Sequence, residues 1–583
     1  MMREKIKTLV QQAIADEFGA MTASEFSVAP TENPAHGDYA TNAALLMAKV
    51  AGIKPMDAAE RIRKKIGSHD AIEKIEIAAP GFINFFVSKA ELQGAVADVL
   101  THLDAWGRSD IGAGKTVIVE YFQLNIAKRP HIGHIRSAII GDALKRMFLS
   151  QGYTAVSDTH VGDWGTQFGI LLLGYKKEIT EEGIGGLVAA KPFETYEDMY
   201  IRENARIKDD PERREKAKQE FAKLEQGDIQ NREIWTDMVR YSMLNLKQVS
   251  ERLGLLPFDE HRGESFYEDK MASIVELALQ NDRTKKTEDG AVIVDLTDEN
   301  LDEAVLIKSD GASTYLLRDL ATIQYRKKEW NFWKNLYVVD VRQSHHFKQV
   351  FRVAELLGFE GVGESQHVSY GFMKLPEGGA VSTRGGNVIS LEKVIDEAEE
   401  KARAVIREKN PDLKGAVGIA RQVGIGALKY FDLSHHRESD IVFSWDRALS
   451  FEGNTGPYLQ YTYARLKSIL RKSCVDVVIP AQSLPPTRSG AGIQFDETER
   501  RLALAIMRLP EAITDALAIF SPHILAGYLY DLAQIANEFY HSHPVLQEED
   551  AQKKNLRLAL VSAASTTLKQ GLNLLGIEAP EEM

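Results

Sequence analysis

The chain has 583 residues, with 71 Lys and Arg against 84 Asp and Glu, a formal net charge of −13. Its 44% apolar content supports several cores, about four domains at roughly 150 residues each, and excludes global disorder. A single cysteine, Cys474, excludes an intramolecular disulfide and a cysteine-rich zinc site and points to a reducing, cytoplasmic setting. No apolar run approaches the roughly 20 residues a bilayer needs and the opening residues lack a secretory leader, so no membrane is expected. Taken alone, the acidity argues against a nucleic-acid partner.

Ile6, Leu9, Val10, Ala13, Ile14 and Phe18 follow one helical stripe, which predicts a domain-packing helix. Residues 1–110 read as a small α+β domain, with helical patterns over 2–18 and 38–51, a strand-like stretch at 75–78 and an apolar run at 82–87. The β-branched run 117–119 predicts a buried parallel strand. A helix beginning near His131 comes next, with Ile135, Ile139, Ala143 and Leu144 at helical spacing, so 111–175 reads as the first half of a nucleotide-binding βαβ fold. Residues 176–300 are charged and predict a mainly helical insertion with a solvated face. The β-rich stretches 304–307 and 336–341 predict that the same sheet resumes in a second catalytic half, 301–450. From 451 to 583 the periodicity is helical, broken by the Pro/Ser/Gly-rich loop 480–492. The expected class is therefore α/β: a Rossmann-like parallel-sheet catalytic domain with a helical insertion, flanked by an N-terminal α+β domain and a C-terminal α-helical bundle.

Gly114-Lys115-Thr116 imitates the end of a P-loop, but Ser109 replaces the first glycine and a strand comes after it instead of a helix, so that reading fails. The informative string is Asn125 to His134, ending His131-Ile132-Gly133-His134. Two histidines three apart on a first helical turn share a face, and the helix N-terminus favours phosphate oxygens. Gly133, without a Cβ, would let a flat base approach the backbone. Such a set suits ATP better than a metal, because a histidine pair without carboxylate or cysteine partners binds zinc poorly. No protein metal site is expected.

At this point the sequence resembles the class I aminoacyl-tRNA synthetases, and within them the arginyl-tRNA synthetase family. The resemblance rests on the histidine string, on His160-Val161-Gly162-Asp163-Trp164-Gly165-Thr166-Gln167-Phe168-Gly169, on Ser309-Asp310-Gly311 with Tyr315 and Asp319, and on Arg342-Gln343 with His346-Phe347. It extends to 451–461, to the ending 576–583, and to Gly37-Asp38-Tyr39 and 80–84 near the start, so it spans essentially the whole chain. The flanking domains then correspond to an additional tRNA-binding domain over 1–110 and an anticodon-binding domain over 451–583.

The resemblance implies ATP-dependent charging of tRNA(Arg) with L-arginine through an arginyl-adenylate, releasing AMP and pyrophosphate. Guanidinium is a planar fork of five donors, so its site should present carboxylates and amide or phenol oxygens. Glu120, Asn125, His160, Asp163, Tyr315, Asp319 and Gln343 are the family positions for arginine. Glu120, Tyr315 and Asp319 are assigned to the guanidinium, and Asn125 and Gln343 to the backbone end of the substrate. Taken singly, each could be an ordinary salt bridge or core side chain; taken together and in family order, they make a pocket. ATP is expected at His131, Gly133, His134, His346, Ser382 and Thr383, with Mg2+ as its escort.

Two departures stand out. The second catalytic loop reads Ala380-Val381-Ser382-Thr383-Arg384-Gly385-Gly386, with Ala380 and Thr383 where most class I enzymes carry lysines. Arg384 is its only cation, and Lys128, just upstream of the histidines, is expected to neutralise pyrophosphate while 382–386 closes over ATP. Lys128, His131, His134 and Arg384 form the expected catalytic set. Gln123-Leu124 stands where relatives often have serine and proline.

For tRNA, Tyr458, Tyr461, Arg465, Lys467 and the terminal Met583 are the expected contacts, with Arg471 and Lys472 continuing the basic side of the same helix. A solvated helix face competes with that reading, as it does for Arg61, Arg63, Lys64 and Lys65. A monomer is expected. Another nucleotidyltransferase with the same histidine pair, or a tRNA-binding paralogue with altered chemistry, stays open from sequence.

The acidity is diffuse. Residues 1–110 and 451–583 each hold 12 basic and 15 acidic side chains, so RNA binding has to come from local stripes, shape and stacking.

Overall fold

The computed structural model describes residues 1–19, 25–180, 192–374, 390–473 and 495–583. Cys474, the 480–492 loop and Ser382, Thr383 and Arg384 lie outside them.

The N-terminal unit is an antiparallel four-stranded sheet in the order Val28–Pro30, Tyr39–Thr41, Phe82–Val87, Ile72–Ala78, backed by helices Met2–Phe18, Ala43–Ala51 and Pro55–Ile66. Ile6, Val10, Ala13 and Ile14 are buried as the stripe predicts. The helical pattern over 38–51 is overruled at its start: 39–41 pairs with Phe82–Val87 as a strand, and the helix begins at Ala43. Cross-strand burial of Tyr39 against Phe85 outweighs local periodicity there.

The catalytic sheet is fully parallel, in the order Ser365–His367, Lys334–Tyr337, Thr116–Glu120, Thr154–Asp158. Val117, Ile118 and Val119 are wholly buried between its two covered faces, which is why they read as a continuous apolar run. The stretch 304–307 does not belong to this sheet. It forms the edge of a separate antiparallel sheet, Thr284–Lys286, Val292–Asp295, Glu303–Ile307. A short apolar strand carries no mark of the sheet it will join, and only 336–337 of the second β-rich stretch pairs with Thr116–Glu120.

The expectation for 176–300 holds only in part. Helices Pro192–Lys208, Pro211–Glu225 and Ile229–Arg252 come after Thr166–Thr180, but the 3₁₀ stretch Glu264–Lys270, the helix Met271–Ala278 and two strands complete the segment. Its charged face is not simply solvated. Glu203 is fully buried and meets Arg206 and Arg213, and Glu220 takes Lys176 at 2.5 Å and Lys223 at 2.7 Å. Regular intervals between these acids and bases hide a packed ionic layer inside an apparent surface sequence.

The C-terminal helices Gly456–Lys472, Glu497–Met507, Leu509–Ala518, His523–Ser542 and Ala551–Leu574 form the predicted bundle. Among the described residues no helix is long and apolar enough to cross a membrane.

Candidate active site

The strand Thr116–Glu120 leads through 121–130 into a single 3₁₀ turn, Ile132–His134, and then the helix Ile135–Ser150. His131 caps that turn rather than standing in an α-helix, and its ring lies 3.8 Å, centroid to centroid, from that of His134. The His131 N–H donates to His134 Nδ1 at 3.1 Å, and the Gly133 N–H donates to His131 Nδ1 at 3.1 Å. With both Nδ1 atoms accepting, each neutral imidazole carries its proton on Nε2 and offers one outward N–H donor. Burial, helped by Arg342, lowers His131 to about 4, and burial with the neighbouring His131 lowers His134 to about 3. The pair therefore acts as neutral donors. At Gly133 a Cβ would stand 2.8 Å from the His131 ring.

Cations surround this turn. Lys128 lies with its ammonium 4.8 Å from the centre of the Tyr200 ring, and Arg342, paired with Asp340, packs over Phe372 at 4.6 Å. Ser390 bridges His131 and the Leu391 N–H donates to Pro130 O, so the start of the helix Leu391–Lys409 is tied beside the histidines.

The residues expected to bind arginine gather at the carboxyl edge of the sheet. Arg326, fully buried, places Nη2 2.7 Å from Glu120 Oε2 and 2.8 Å from Asp158 Oδ2. The other Glu120 oxygen accepts from Gln123 Nε2 at 3.1 Å. Glu120, expected at the substrate guanidinium, is thus paired with an internal one. Arg326 is the reason a buried pair of carboxylates survives there; a carboxylate left without a partner inside a protein is strongly disfavoured.

Tyr315 and Asp319 lie one turn apart on the helix Tyr315–Trp330, with Tyr315 60% exposed and open to a ligand. Asp319 Oδ2 is 2.5 Å from His346 Nε2, and burial, which opposes it, is outweighed by this carboxylate so that His346 titrates above its ordinary value. His346, expected near ATP, is bonded to Asp319, one of the residues expected at arginine. His160 takes a left-handed backbone, φ 38°. Burial would lower its pKa, but Glu120, Asp319 and Asp158 raise it. Asp163, 5% exposed, accepts from Ser265 N–H at 2.8 Å and Ser265 Oγ–H at 2.6 Å, and burial raises it nonetheless. Asn125 is exposed and bridges Gly162, where a Cβ would come within 2.5 Å of its Oδ1. Gln343 is exposed at the end of the short turn Val341–Gln343.

Sequence reading missed Glu264. It is 7% exposed, comes directly after Gly263, and sits against the same groups: burial pushes it up to about 7 against the pull of Arg318 and His160, with Asp163 and Asp319 adding to the rise. Its Oε2 is buried without a hydrogen-bond donor, although Arg318 Nη1 lies 3.2 Å away. The one signal in the sequence was Gly263-Glu264-Ser265, whose glycine makes room for the Asp163 carboxylate, 2.4 Å from where a Cβ would be.

In the C-terminal bundle, Tyr461, Arg465 and Met583 line a cleft of about 930 Å3 together with Tyr540, His541 and Lys472. The Arg465 guanidinium lies 4.9 Å from the Tyr461 ring centre and 5.3 Å from that of Tyr540. Tyr458 and Lys467 are outside the cleft lining: Tyr458 Oη accepts from Asn537 at 2.9 Å, and Lys467 meets Glu581 at 3.2 Å. The tail acids Glu581 and Glu582 offset part of the basic stripe, Glu582 facing Arg471 at 3.4 Å. Arg63 and Lys64 likewise face Glu60, and Arg61 and Lys65 face Glu17.

A parallel nucleotide sheet with a paired-histidine turn at its edge, joined to a helical bundle with an aromatic and basic cleft, defines a class I aminoacyl-tRNA synthetase. Comparison with known proteins agrees: residues 95–445 match the family described as "tRNA synthetases class I (R), catalytic domain", 459–583 the "DALR anticodon binding domain", and 4–87 the "Arginyl tRNA synthetase N terminal domain". The arginine–tRNA ligase of Clostridioides difficile is 38% identical over 583 residues, 100% of this chain and 98% of that one. That of Lactococcus lactis subsp. cremoris is 39% identical over 580 residues, covering 99% and 100%. The solved arginyl-tRNA synthetase of Plasmodium falciparum superposes with a TM-score of 0.82 at 25% identity over 100% of this chain and 99% of that one. The Thermus thermophilus enzyme gives 0.79 at 26% identity, covering 100% of both. The chain belongs to the arginyl-tRNA synthetase family, and its activity is the ligation of arginine to tRNA.

Proposed function

We propose that the neutral histidine pair and the acid-lined pocket beside it carry out the first step, attack of the arginine carboxylate on the α-phosphorus of ATP with loss of pyrophosphate. The observation that carries this reading is the pair of Nε2–H donors fixed by backbone bonds to Nδ1. Donors held in place before charge develops lower the barrier to phosphoryl transfer without reorganisation. His131 and His134 meet the phosphoryl oxygens, and Lys128 offsets charge on the departing pyrophosphate. Arg384, Ser382 and Thr383 are assigned to the closing loop.

Asp319, Glu264 and Tyr315 receive the guanidinium, while Asn125 and Gln343 hold the α-amino and carboxylate end. Glu120 and Asp158, fixed by Arg326, form the floor, with His160 and Asp163 bordering it. A substrate without the five-donor fork would leave buried acceptors unpaired, at roughly 1–3 kcal/mol each. The 2′-hydroxyl of the terminal tRNA adenosine then takes the arginyl group from AMP, with Tyr461, Arg465 and Met583 at the anticodon cleft, supported by Tyr458 and Lys467.

Mg2+ accompanies the ATP phosphates. Among the described residues the one trio at metal spacing is Asp496, Glu499 and His543 in the bundle, where Glu499 already holds Arg557 at 2.9 Å and Asp496 caps a helix. We assign the enzyme to the cytoplasm as a monomer. Arginine-dependent exchange of pyrophosphate into ATP, with and without tRNA, tests the scheme. Lys128→Ala should slow exchange by about 100-fold, the scale of one fixed charge at a phosphoryl centre; unchanged exchange removes Lys128 from the mechanism.

A further inference from the structure

The proposed guanidinium site contains a cation of the protein's own that the reaction scheme leaves without a role. Arg318 lies on the same helix as Tyr315 and Asp319, between them in sequence, and is 6% exposed. Its Nη1 is 3.2 Å from Glu264 and its Nε 3.9 Å from Glu268; Nη2 donates to Ser313 Oγ at 3.1 Å, and the guanidinium stands 5.3 Å from the Tyr315 ring centre. No other cation within ion-pairing distance of Glu264 is found among the described residues.

The groups around it come from several elements. Glu264 and Glu268 belong to the 3₁₀ stretch, Glu225 to the end of Pro211–Glu225, and Arg232 to Ile229–Arg252. Asp163 and His160 lie beyond the end of the strand Thr154–Asp158, Asp310 precedes the helix that carries Tyr315 and Asp319, and Tyr200 reaches Tyr315 from Pro192–Lys208. Acids outnumber bases in this set. Burial raises Glu225, Glu264 and Glu268 alike, and Arg318 opposes the rise at each of them. Desolvated carboxylates crowded together take up protons unless a fixed cation holds them ionised, and a protonated Glu264 would present an O–H donor to a ligand that has only donors.

We propose that Arg318 is a positioning residue for amino-acid selection, fixing the Glu264 carboxylate so that it can accept from the substrate guanidinium. This rests on the reading of that pocket as the arginine site. Two features separate Arg318 from a merely structural ion pair. Glu264 Oε2 is left without a hydrogen-bond donor, so the pair keeps acceptor capacity in reserve. Arg318 is also anchored on its far side by Ser313, which keeps its charge behind Glu264.

The test compares arginine KM and ATP KM in tRNA charging for the parent, Arg318→Gln, Arg318→Lys and Glu264→Gln, each read as a ratio to the parent at the same pH. Arg318→Gln should raise arginine KM at least about 10-fold near pH 7 and move ATP KM less than about 2-fold. The excess should shrink towards pH 9, where Glu264 ionises unaided. Arg318→Lys, which keeps the charge, should recover most of the loss, and it also serves if the Gln variant does not fold. In a Glu264→Gln background, Arg318→Gln should produce no further pH-dependent change. Equal rises in arginine and ATP KM, an arginine KM that stays high at every pH, or no recovery by lysine would overturn the proposal. A parent enzyme that charges tRNA with some other amino acid would instead overturn the pocket reading, and the two failures are therefore distinct.

Discussion

At the scale of single residues the site separates groups that titrate near neutrality from groups that do not. His131 and His134, lowered to about 4 and about 3, stay neutral throughout the working range, so their donor role does not change with pH. Glu264, raised to about 7, does change: as pH falls through that value it gains a proton and loses its attraction for guanidinium. Arginine kcat/KM should therefore rise with pH up to about 7 and then level off. Glu264→Gln should remove the acid limb and cost about 100-fold in arginine kcat/KM, the scale of a lost charged hydrogen bond. An acid limb that survives in Glu264→Gln would assign it to another group. His134→Ala should lower kcat about 100- to 1000-fold with little change in arginine KM, as removal of a transition-state donor does.

The elements show which parts of this were readable beforehand. The run 117–119 announced a buried parallel strand because both faces of that sheet are covered, and the helix after the histidines was plain from Ile135, Ile139, Ala143 and Leu144. Sheet membership was not readable: 304–307 looks like a catalytic strand and pairs elsewhere, since partner choice depends on contacts far along the chain. Nor was the internal use of Glu120, because nothing local marks Arg326, about two hundred residues away, as its partner. Glu264 escaped for the same reason. Close approaches at glycines, by contrast, turn a local residue type into a testable constraint. Gly263→Ala would put a Cβ 2.4 Å from the Asp163 carboxylate, and Gly162→Ala one 2.5 Å from Asn125 Oδ1. Each should cost about 1–3 kcal/mol in denaturant unfolding, as overpacking does. Gly263→Ala should also raise arginine KM. An alanine at 263 with parental stability and KM would mean that the loop shifts freely and does not hold the pocket.

Across the whole molecule, the N-terminal domain is fastened to the C-terminal bundle by a compact polar joint. Both Asp38 oxygens meet Arg500, at 2.8 and 2.6 Å, Arg508 donates to the Asp38 carbonyl at 2.6 Å, and Tyr39 donates to Glu511 at 3.0 Å. Asp38 is 5% exposed, so Asp38→Ala should lower stability by about 2–4 kcal/mol, near the range for breaking a buried pair. If the joint also sets the spacing of two tRNA contacts, tRNA KM rises while arginine and ATP KM in pyrophosphate exchange do not; equal effects on all three would make the joint purely structural. The charge of −13 fits this picture. The cleft's basic stripe is offset by its own tail acids, so on the proposed tRNA contacts bulk attraction for RNA should be small and stacking on the cleft aromatics and shape should carry the selectivity. The most direct test of the central claim is aminoacylation of unfractionated tRNA by the purified chain, with each amino acid supplied singly alongside ATP and Mg2+. Arginine alone should become attached to tRNA; attachment of lysine or any other amino acid in its place, or of none, would contradict the account.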